Sequence, residues 1–213
     1  MAMPEAKIIA VGDIHGCLVK LEVLLSRLPI DWTRDRLVFL GDYIDRGPDS
    51  SRVIDLVLEL KKNYGERVVC LKGNHEDMFL RYLHGEPDSI WLAVGGNATL
   101  KSYPEKDGMP IVPDEHMEFL SGLRLYLETP KYIFVHAGLR PGIPLEEQNE
   151  ADLLSIRYTF IQSSYDWGKR IIFGHTPFPV PLVEKNKIGI DTGAVYGGRL
   201  TALVLPDVEF IFA

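Results

Sequence analysis

The sequence has few cysteines, no long apolar run and no excess of basic charge. Its only two cysteines, Cys17 and Cys70, lack the spacing of metal ligands, so neither a disulfide framework nor a cysteine-rich zinc site is predicted. No segment approaches the roughly 18 apolar residues of a membrane helix, and residues 1–7 lack the basic and apolar regions of a signal peptide. We therefore expect a cytoplasmic protein with no membrane partner.

The acidic balance also limits the choice of partners. A net charge of −7 argues against a general nucleic-acid binder, which would carry a basic patch. It does not argue against a phosphorylated substrate, because metal ions and a few arginines can supply local positive charge.

Length and composition favour one globular domain. The chain has 213 residues, 46% hydrophobic and 25% charged, which suits a single α/β domain spanning 1–213. Residues 85–115 are rich in glycine, proline and charge, and we interpret them as a cap or rim insertion of helical fragments and loops. The oligomeric state is open, and a monomer is favoured.

Short apolar runs alternate with helical patterns. The runs at 7–11, 37–40 and 68–71 each precede a glycine-containing loop and an amphipathic helix, which predicts parallel strands with right-handed crossovers. Two more strands are predicted at 132–135 and 170–173. The tail, with runs at 187–190, 200–205 and 208–212, is predicted to be a meander that packs as a second sheet.

Polar residues that can bind divalent metals follow five of these strands. They are Asp13 and His15, Asp42 and Asp45, Asn74 and His75, His136, and His175. One such residue alone is more often a cap, but the recurrence in one register favours two neighbouring ions such as Mn, Fe or Zn.

These segments resemble the motifs of a known family. The segments are Gly12-Asp13-Ile14-His15-Gly16, Gly41-Asp42-Tyr43-Ile44-Asp45-Arg46-Gly47, Gly73-Asn74-His75-Glu76, His136-Ala137-Gly138 and Gly174-His175-Thr176. In this order they are similar to the phosphoprotein phosphatases, within the calcineurin-like metallophosphoesterases, and most of all to the bacterial and bacteriophage branch with lambda-type protein phosphatase. The resemblance implies an α/β fold, a four-layer αββα sandwich with two mixed sheets flanked by helices.

The resemblance also implies a dinuclear metal centre. Asp13 and His15 would hold the first ion, with Asp42 as the bridge. Asn74, His136 and His175 would hold the second ion. Mn is favoured over Fe or Zn, and a hydroxide bridging the two ions would attack phosphorus in line.

Further roles are implied for residues beside the ions. Arg46 and Arg157 would bind the substrate phosphate, with Arg140 as an alternative to Arg157, because Ser155 stands where the family usually has tryptophan. The proton donor would be His75, oriented by Asp45, for which a salt bridge to an arginine is the alternative role. Glu76 is predicted to cap the following helix.

The expected function is that of a serine/threonine protein phosphatase acting on phosphoproteins or phosphopeptides. The alternative is symmetrical hydrolysis of a dinucleoside tetraphosphate, which requires basic and aromatic contacts that are not evident in 85–115. A non-catalytic scaffold, such as the retromer subunit with this fold, is disfavoured because every ligand and the proton donor are present.

Overall fold

Three strand-loop-helix units begin the chain, as the apolar runs predict. The computed structural model describes residues 5–86, 89–107 and 109–213. In it, β1 (Ile8–Val11) leads to α1 (Leu18–Arg27), β2 (Arg36–Phe39) to α2 (Ser50–Tyr64), and β3 (Val68–Cys70) to α3 (Asn74–Leu83). Strands β1, β2 and β3 are parallel, so the loops that follow them leave the same edge of the sheet.

The middle of the chain is helical and partly buried. It contains α4 (Ser89–Trp91), a π-helical turn (Leu92–Gly96), α5 (Asn97–Ser102), the short strands β4 (Glu105–Lys106) and β5 (Met109–Pro110), and α6 (Asp114–Ser121). The Trp91 ring is fully buried and stacks on Phe79 of α3 at 5.2 Å between ring centroids. This segment therefore contributes to the main core. Its role as a cap and the single domain spanning 1–213 stay predictions.

The second half of the chain supplies the remaining strands. The elements are β6 (Tyr126–Glu128), β7 (Tyr132–Val135), α7 (Glu150–Ser155), α8 (Tyr158–Ile161), β8 (Arg170–Phe173), β9 (Leu182–Val183), β10 (Lys187–Gly189), β11 (Thr201–Leu205) and β12 (Glu209–Phe212). One sheet has the order β12-β11-β1-β2-β3, and the other has the order β6-β7-β8-β10-β9.

The two sheets face each other between layers of helices. Successive strand residues point to opposite faces, so Ile9 and Val11 of β1 pack with the helices α1 and α2, whereas Ala10 packs with Ile172 and Ile188 of the other sheet. On the far face of that sheet, Ile171 and Phe173 pack with Phe160 of α8. The predicted four-layer αββα architecture with two mixed sheets is thus confirmed.

The predicted strand meander of the tail is wrong. Strand β10 pairs in parallel with β8 in one sheet, but β11 pairs antiparallel with β1 in the other. Apolar runs indicate strands without specifying their partners, and the chain crosses between the sheets after β10. The crossing segment, 190–200, passes beside the loops of β1 and β2. Among the described residues, no helix combines the length and the apolar character needed to cross a membrane.

Candidate metal centre and active site

The five polar loops converge where the carboxyl ends of strands from both sheets meet. Several of their non-glycine residues adopt left-handed backbone conformations, with positive φ angles at His15, Asp42, Asp45, Arg46 and His175. Each such residue costs about 1–3 kcal/mol and persists only where the surroundings enforce it. Contacts around these loops must therefore hold the backbone in these left-handed conformations.

Asp42 lies at the centre of this cluster. Its Oδ2 lies 3.4 Å from His15 Nε2, and its Oδ1 lies 3.4 Å from His136 Nε2. Burial opposes its ionisation, but the facing histidines, above all His136 and His75, hold the pKa of Asp42 well below its usual range. Asp42 is thus a carboxylate with Oδ2 directed to His15 and Oδ1 directed to His136.

Two groups of donor atoms share Asp42. The group on one side is His15, Asp42 and His75, and the group on the other is Asp42, His136 and His175; within each group the donor atoms lie within 4.8 Å of one another. Divalent cations bind such mixed carboxylate and imidazole sets, and a shared carboxylate can join two of them. The donor arrangement fits a pair of metal ions.

Hydrogen bonds fix the tautomers of two histidines. The Nδ1–H of His15 donates to the Ile44 carbonyl at 2.8 Å, and that of His136 donates to the Leu40 carbonyl at 2.9 Å. Both Nε2 lone pairs therefore face Asp42, which is the orientation of a metal-binding imidazole. His15 Nε2 also contacts the Arg46 guanidinium.

His175 shows most directly that the cluster fits a cation. Its Nδ1 lies inside the cluster, 3.2 Å from His136 Nε2, its Nε2 is buried without a hydrogen-bond partner among the described residues, and burial lowers the pKa of His175 to about 2. Burial likewise lowers the pKa of His15 to about 3. Both rings are therefore neutral and retain lone pairs for metal binding.

Asp13 and Asn74 lie at the border of the cluster. Asn74 Oδ1 lies 3.1 Å from His136 Nε2, so it is beside the second donor group. The Asp13 carboxylate accepts the His175 backbone N–H at 2.9 Å. Asp13 is outside both donor groups of the described residues, and its predicted ligand role stays a prediction.

The proton donor predicted from the sequence contacts its predicted partner. His75 Nδ1 donates to Asp45 Oδ2 at 2.5 Å, and the same carboxylate accepts Trp91 Nε1–H at 2.7 Å and the Thr99 hydroxyl at 2.5 Å. Burial opposes protonation, but Asp42 and the bond to Asp45 raise the pKa of His75. Asp45 is fully buried, and a salt bridge from it to an arginine is not among the contacts of the described residues.

Glu76 joins two of the loops. Its carboxylate accepts the backbone N–H groups of Gly73 and Asp42 at 2.9 Å, and that of Tyr43 at 2.9 Å. The bond to Gly73 is the helix cap predicted from the sequence, since Gly73 precedes α3. The other bonds hold the loop after β2 in register with the loop after β3.

The three candidate arginines differ in their surroundings. Arg46 Nε donates to the Val94 carbonyl at 3.2 Å, and its guanidinium reaches His15 of the donor cluster around Asp42. Arg157 is exposed, with Nη1 3.5 Å from the Thr176 hydroxyl, and its charge lowers the pKa of His175. Arg140 forms a bidentate pair with Asp152, with both N···O distances 2.6 Å. Arg157 is thus free to face a substrate, whereas Arg140 is engaged.

Sequence reasoning missed Asp191. It comes two residues after β10 and two before Gly193, a pattern of strand, acid and glycine like the one that marked Asp13. Burial raises the pKa of Asp191 to about 6, with a contribution from Asp42, and burial together with Asp191 raises the pKa of Asp13 well above its usual range. Crowded carboxylates of this kind are a further sign that the site is built to receive positive charge.

Comparisons with known proteins agree with this chemistry. The sequence pattern of the "Calcineurin-like phosphoesterase" family matches residues 6–212. A protein of Anoxybacillus flavithermus, named "Bis(5'-nucleosyl)-tetraphosphatase PrpE [asymmetrical]", is 31% identical, and the match covers 94% of this chain and 91% of that protein.

Solved structures share this fold. A crystal structure described as "a putative diadenosine tetraphosphatase" superposes with a TM-score of 0.76 and 26% identity, covering 100% of this chain and 95% of the other. A protein serine/threonine phosphatase of Saccharomyces cerevisiae superposes with a TM-score of 0.66 and 16% identity, covering 99% and 80%. The latter likeness shows a shared fold alone.

These findings overturn two expectations. The serine/threonine protein phosphatase function is wrong, and so is the phosphoprotein or phosphopeptide partner, because the relative matched along nearly its whole length bears the name of a dinucleoside tetraphosphatase. The metal and acid motifs are shared by phosphatases of both kinds and do not identify the group attached to the phosphate. The chain belongs to the calcineurin-like phosphoesterase family.

Proposed function

We propose that this protein hydrolyses dinucleoside tetraphosphates to a nucleoside triphosphate and a nucleoside monophosphate. The observation that carries the proposal is the match over 94% of the chain to a relative named as an asymmetrical bis(5'-nucleosyl)-tetraphosphatase. The sequence motifs left symmetrical cleavage open as an alternative. The word "asymmetrical" in the relative's name favours the other pair of products.

The family uses a dinuclear metal centre, and the two donor groups that share Asp42 fit it. We propose that His15 and Asp13 hold one ion and that Asn74, His136 and His175 hold the other, with Asp42 between them. Mn²⁺ suits this mixture of nitrogen and oxygen donors. When bound, the ions would activate a water molecule and neutralise the charge on the phosphate oxygens.

The arginines would bind and orient the substrate. Arg46 is held by the Val94 carbonyl through Nε, which leaves the end of its guanidinium at the cluster. Arg157 lies near His175 of the other donor group, with Nη1 3.5 Å from the hydroxyl of the adjacent Thr176. Guanidinium groups form paired hydrogen bonds with phosphate oxygens, so two of them can hold the tetraphosphate chain across the metal-binding cluster.

His75 would supply the proton to the departing group. Its Nδ1 is bound to Asp45, so Nε2 is the nitrogen that faces the substrate, and Asp45 favours the protonated ring. The leaving group here is a phosphate oxygen rather than an alkoxide, and it is the weaker base of the two. Loss of His75 should therefore slow this reaction less than it would slow cleavage of an alkyl phosphate.

Product analysis tests the proposal. The purified protein is incubated with Mn²⁺ and diadenosine tetraphosphate, and the nucleotides are separated by ion-exchange chromatography. ATP and AMP in equal amounts are the expected result, and Asp42→Asn should abolish their formation. Two molecules of ADP would show symmetrical cleavage, and intact substrate with full metal occupancy would refute the proposed function.

A further inference from the structure

A cleft of about 410 Å³ opens beside the metal-binding cluster. It is lined by Arg46, Ala93, Val94, Gly95 and Tyr196. The Tyr196 side chain is 64% exposed, although it stands next to a deeply buried site. An exposed aromatic ring at a cleft is a common means of binding a flat ligand.

Hydrogen bonds from Lys20 hold the backbone of the loop that carries Tyr196. Tyr196 ends a 3-10 turn between Gly193 and Gly197, which both have left-handed conformations. The ammonium group of Lys20 donates to the Ala194 carbonyl at 2.8 Å and to the Gly198 carbonyl at 2.6 Å. The backbone that carries the ring is therefore held in place before any ligand arrives, and a preorganised contact loses less entropy on binding.

Arg46 connects the cleft to the metal-binding cluster. Its guanidinium carbon lies 5.4 Å from the centroid of the Tyr196 ring, within the range of a cation–π contact. One nitrogen of the same guanidinium contacts His15 Nε2. A single guanidinium group thus separates the aromatic ring from the proposed metal ligands.

The backbone of the π-helical turn forms the other wall. Gly95 accepts the Arg46 backbone N–H at 3.1 Å, and Val94 accepts its Nε–H at 3.2 Å. Both carbonyls are occupied by Arg46, so this wall offers a ligand mainly apolar contact with Ala93 and Val94. A planar, uncharged aromatic group matches such a cleft better than another phosphate does.

We propose that Tyr196 is the stacking platform for the nucleobase nearest the phosphorus that is attacked, an inference that rests on the proposed function. Because only the Arg46 guanidinium lies between Tyr196 and His15, a ribose and one phosphate would be enough to connect a base on Tyr196 with the cluster. The phosphorus of that phosphate accepts the oxygen of water, and its bond to the bridging oxygen breaks. The electron pair stays on the nucleoside triphosphate, and His75 protonates that oxygen.

This placement gives a structural reason for asymmetrical cleavage. Symmetrical cleavage requires two phosphates between the bound base and the broken bond, and so a platform farther from the cluster. Because the platform is one guanidinium away from His15, the monophosphate is the product that remains next to Tyr196.

Binding of fragments tests the platform without relying on catalysis. AMP and ribose 5-phosphate share the sugar and phosphate, but only AMP has a base. By calorimetry on the Mn²⁺-loaded protein, AMP should bind about tenfold more tightly than ribose 5-phosphate, as expected for one base stacked on an aromatic ring. Tyr196→Ala should remove this difference, and Tyr196→Phe should keep it. Tyr165→Ala, which removes an exposed tyrosine outside the cleft, is the control.

Kinetics and isotope labelling complete the test. Tyr196→Ala should raise KM for diadenosine tetraphosphate about tenfold, and in ¹⁸O-labelled water the label should enter AMP. The inference would be overturned, while the proposed function stands, if the protein cleaves diadenosine tetraphosphate but binds AMP and ribose 5-phosphate equally tightly. Label in ATP rather than in AMP would overturn it in the same way. Intact diadenosine tetraphosphate together with a Tyr196-dependent preference for AMP would refute the proposed function and support the platform for another nucleotide.

Discussion

Gly95 is where the helical middle segment packs against the loop that carries Arg46. It has φ +119°, and a Cβ atom added there would lie 2.6 Å from Arg46 Cγ and 2.9 Å from the Arg46 backbone nitrogen. Residues other than glycine rarely adopt this conformation, which costs about 1–3 kcal/mol. Contact with the backbone of Arg46 cannot be relieved by a side-chain rotation, so overpacking adds about 1–3 kcal/mol.

The substitution Gly95→Ala should therefore affect both stability and activity. We expect the free energy of unfolding to fall by about 2–6 kcal/mol, the sum of these two costs. Displacement of Arg46 by a fraction of an ångström should lower kcat/KM for diadenosine tetraphosphate by about 10–100-fold, because misplaced binding groups are costly in catalysis. Urea unfolding measures the first effect, and initial rates measure the second.

Gly85→Ala is the matched control. Gly85 also has a positive φ, +85°, but no atom of the described residues outside its immediate neighbours lies within 4 Å of an added Cβ. The free energy of unfolding of Gly85→Ala should fall only by the cost of the backbone conformation, about 1–3 kcal/mol, and its kcat/KM should not change. Equal losses of kcat/KM in the two variants would refute the reasoning, because a general loss of stability would then explain both.

Three more predictions follow from the cluster. Asp45→Asn should lower kcat by about 10–100-fold and His75→Asn by about 100–10,000-fold, and the double variant should be no slower than His75→Asn, since the two residues act as a pair; additive losses in steady-state rates would show that they act separately. Mn²⁺ at one hundred times its Kd should stabilise the wild type by about 2.7 kcal/mol for each ion bound in thermal unfolding, whereas Asp42→Asn should show little change; an equal gain in the variant would exclude Asp42 as a ligand. In chelator-treated protein, His175 is neutral when folded, with a pKa of about 2, but takes up a proton below about pH 6.5 when unfolded, so its contribution to stability is present above that pH and is lost as the pH falls. The free-energy difference between wild type and His175→Asn should therefore shift by about 2 kcal/mol against the wild type from pH 7 to pH 5, and a constant difference in urea unfolding would show that His175 takes up its proton equally in the folded and unfolded states.

The sequence by itself determined the order of the first elements and most of the candidate cluster. Short apolar runs, glycine loops and helical periodicity identify β1, β2 and β3 and their parallel arrangement. The pairing of His75 with Asp45 and the helix cap formed by Glu76 were also correct. These features are local or repeat at strand ends, so a linear pattern contains them.

Only the tertiary structure decided which residues surround the cluster. Trp91 and Thr99 bind Asp45 from the segment 85–115, predicted to be a cap or rim insertion, and the tail strands β11 and β12 belong to the first sheet rather than the second. The packing of whole sheet faces determines which strands pair, and an apolar run alone does not specify its partner.

The same limit explains the error about function. The motifs specify a phosphoesterase, but the group attached to the phosphate is selected by the walls of the site. The aromatic contact that was not evident in 85–115 comes from Tyr196, about a hundred residues farther along the chain. It reaches Arg46 only because the chain crosses from one sheet to the other between β10 and β11. The chemistry was therefore encoded in local motifs, whereas the proposed specificity depends on long-range packing that brings distant loops together.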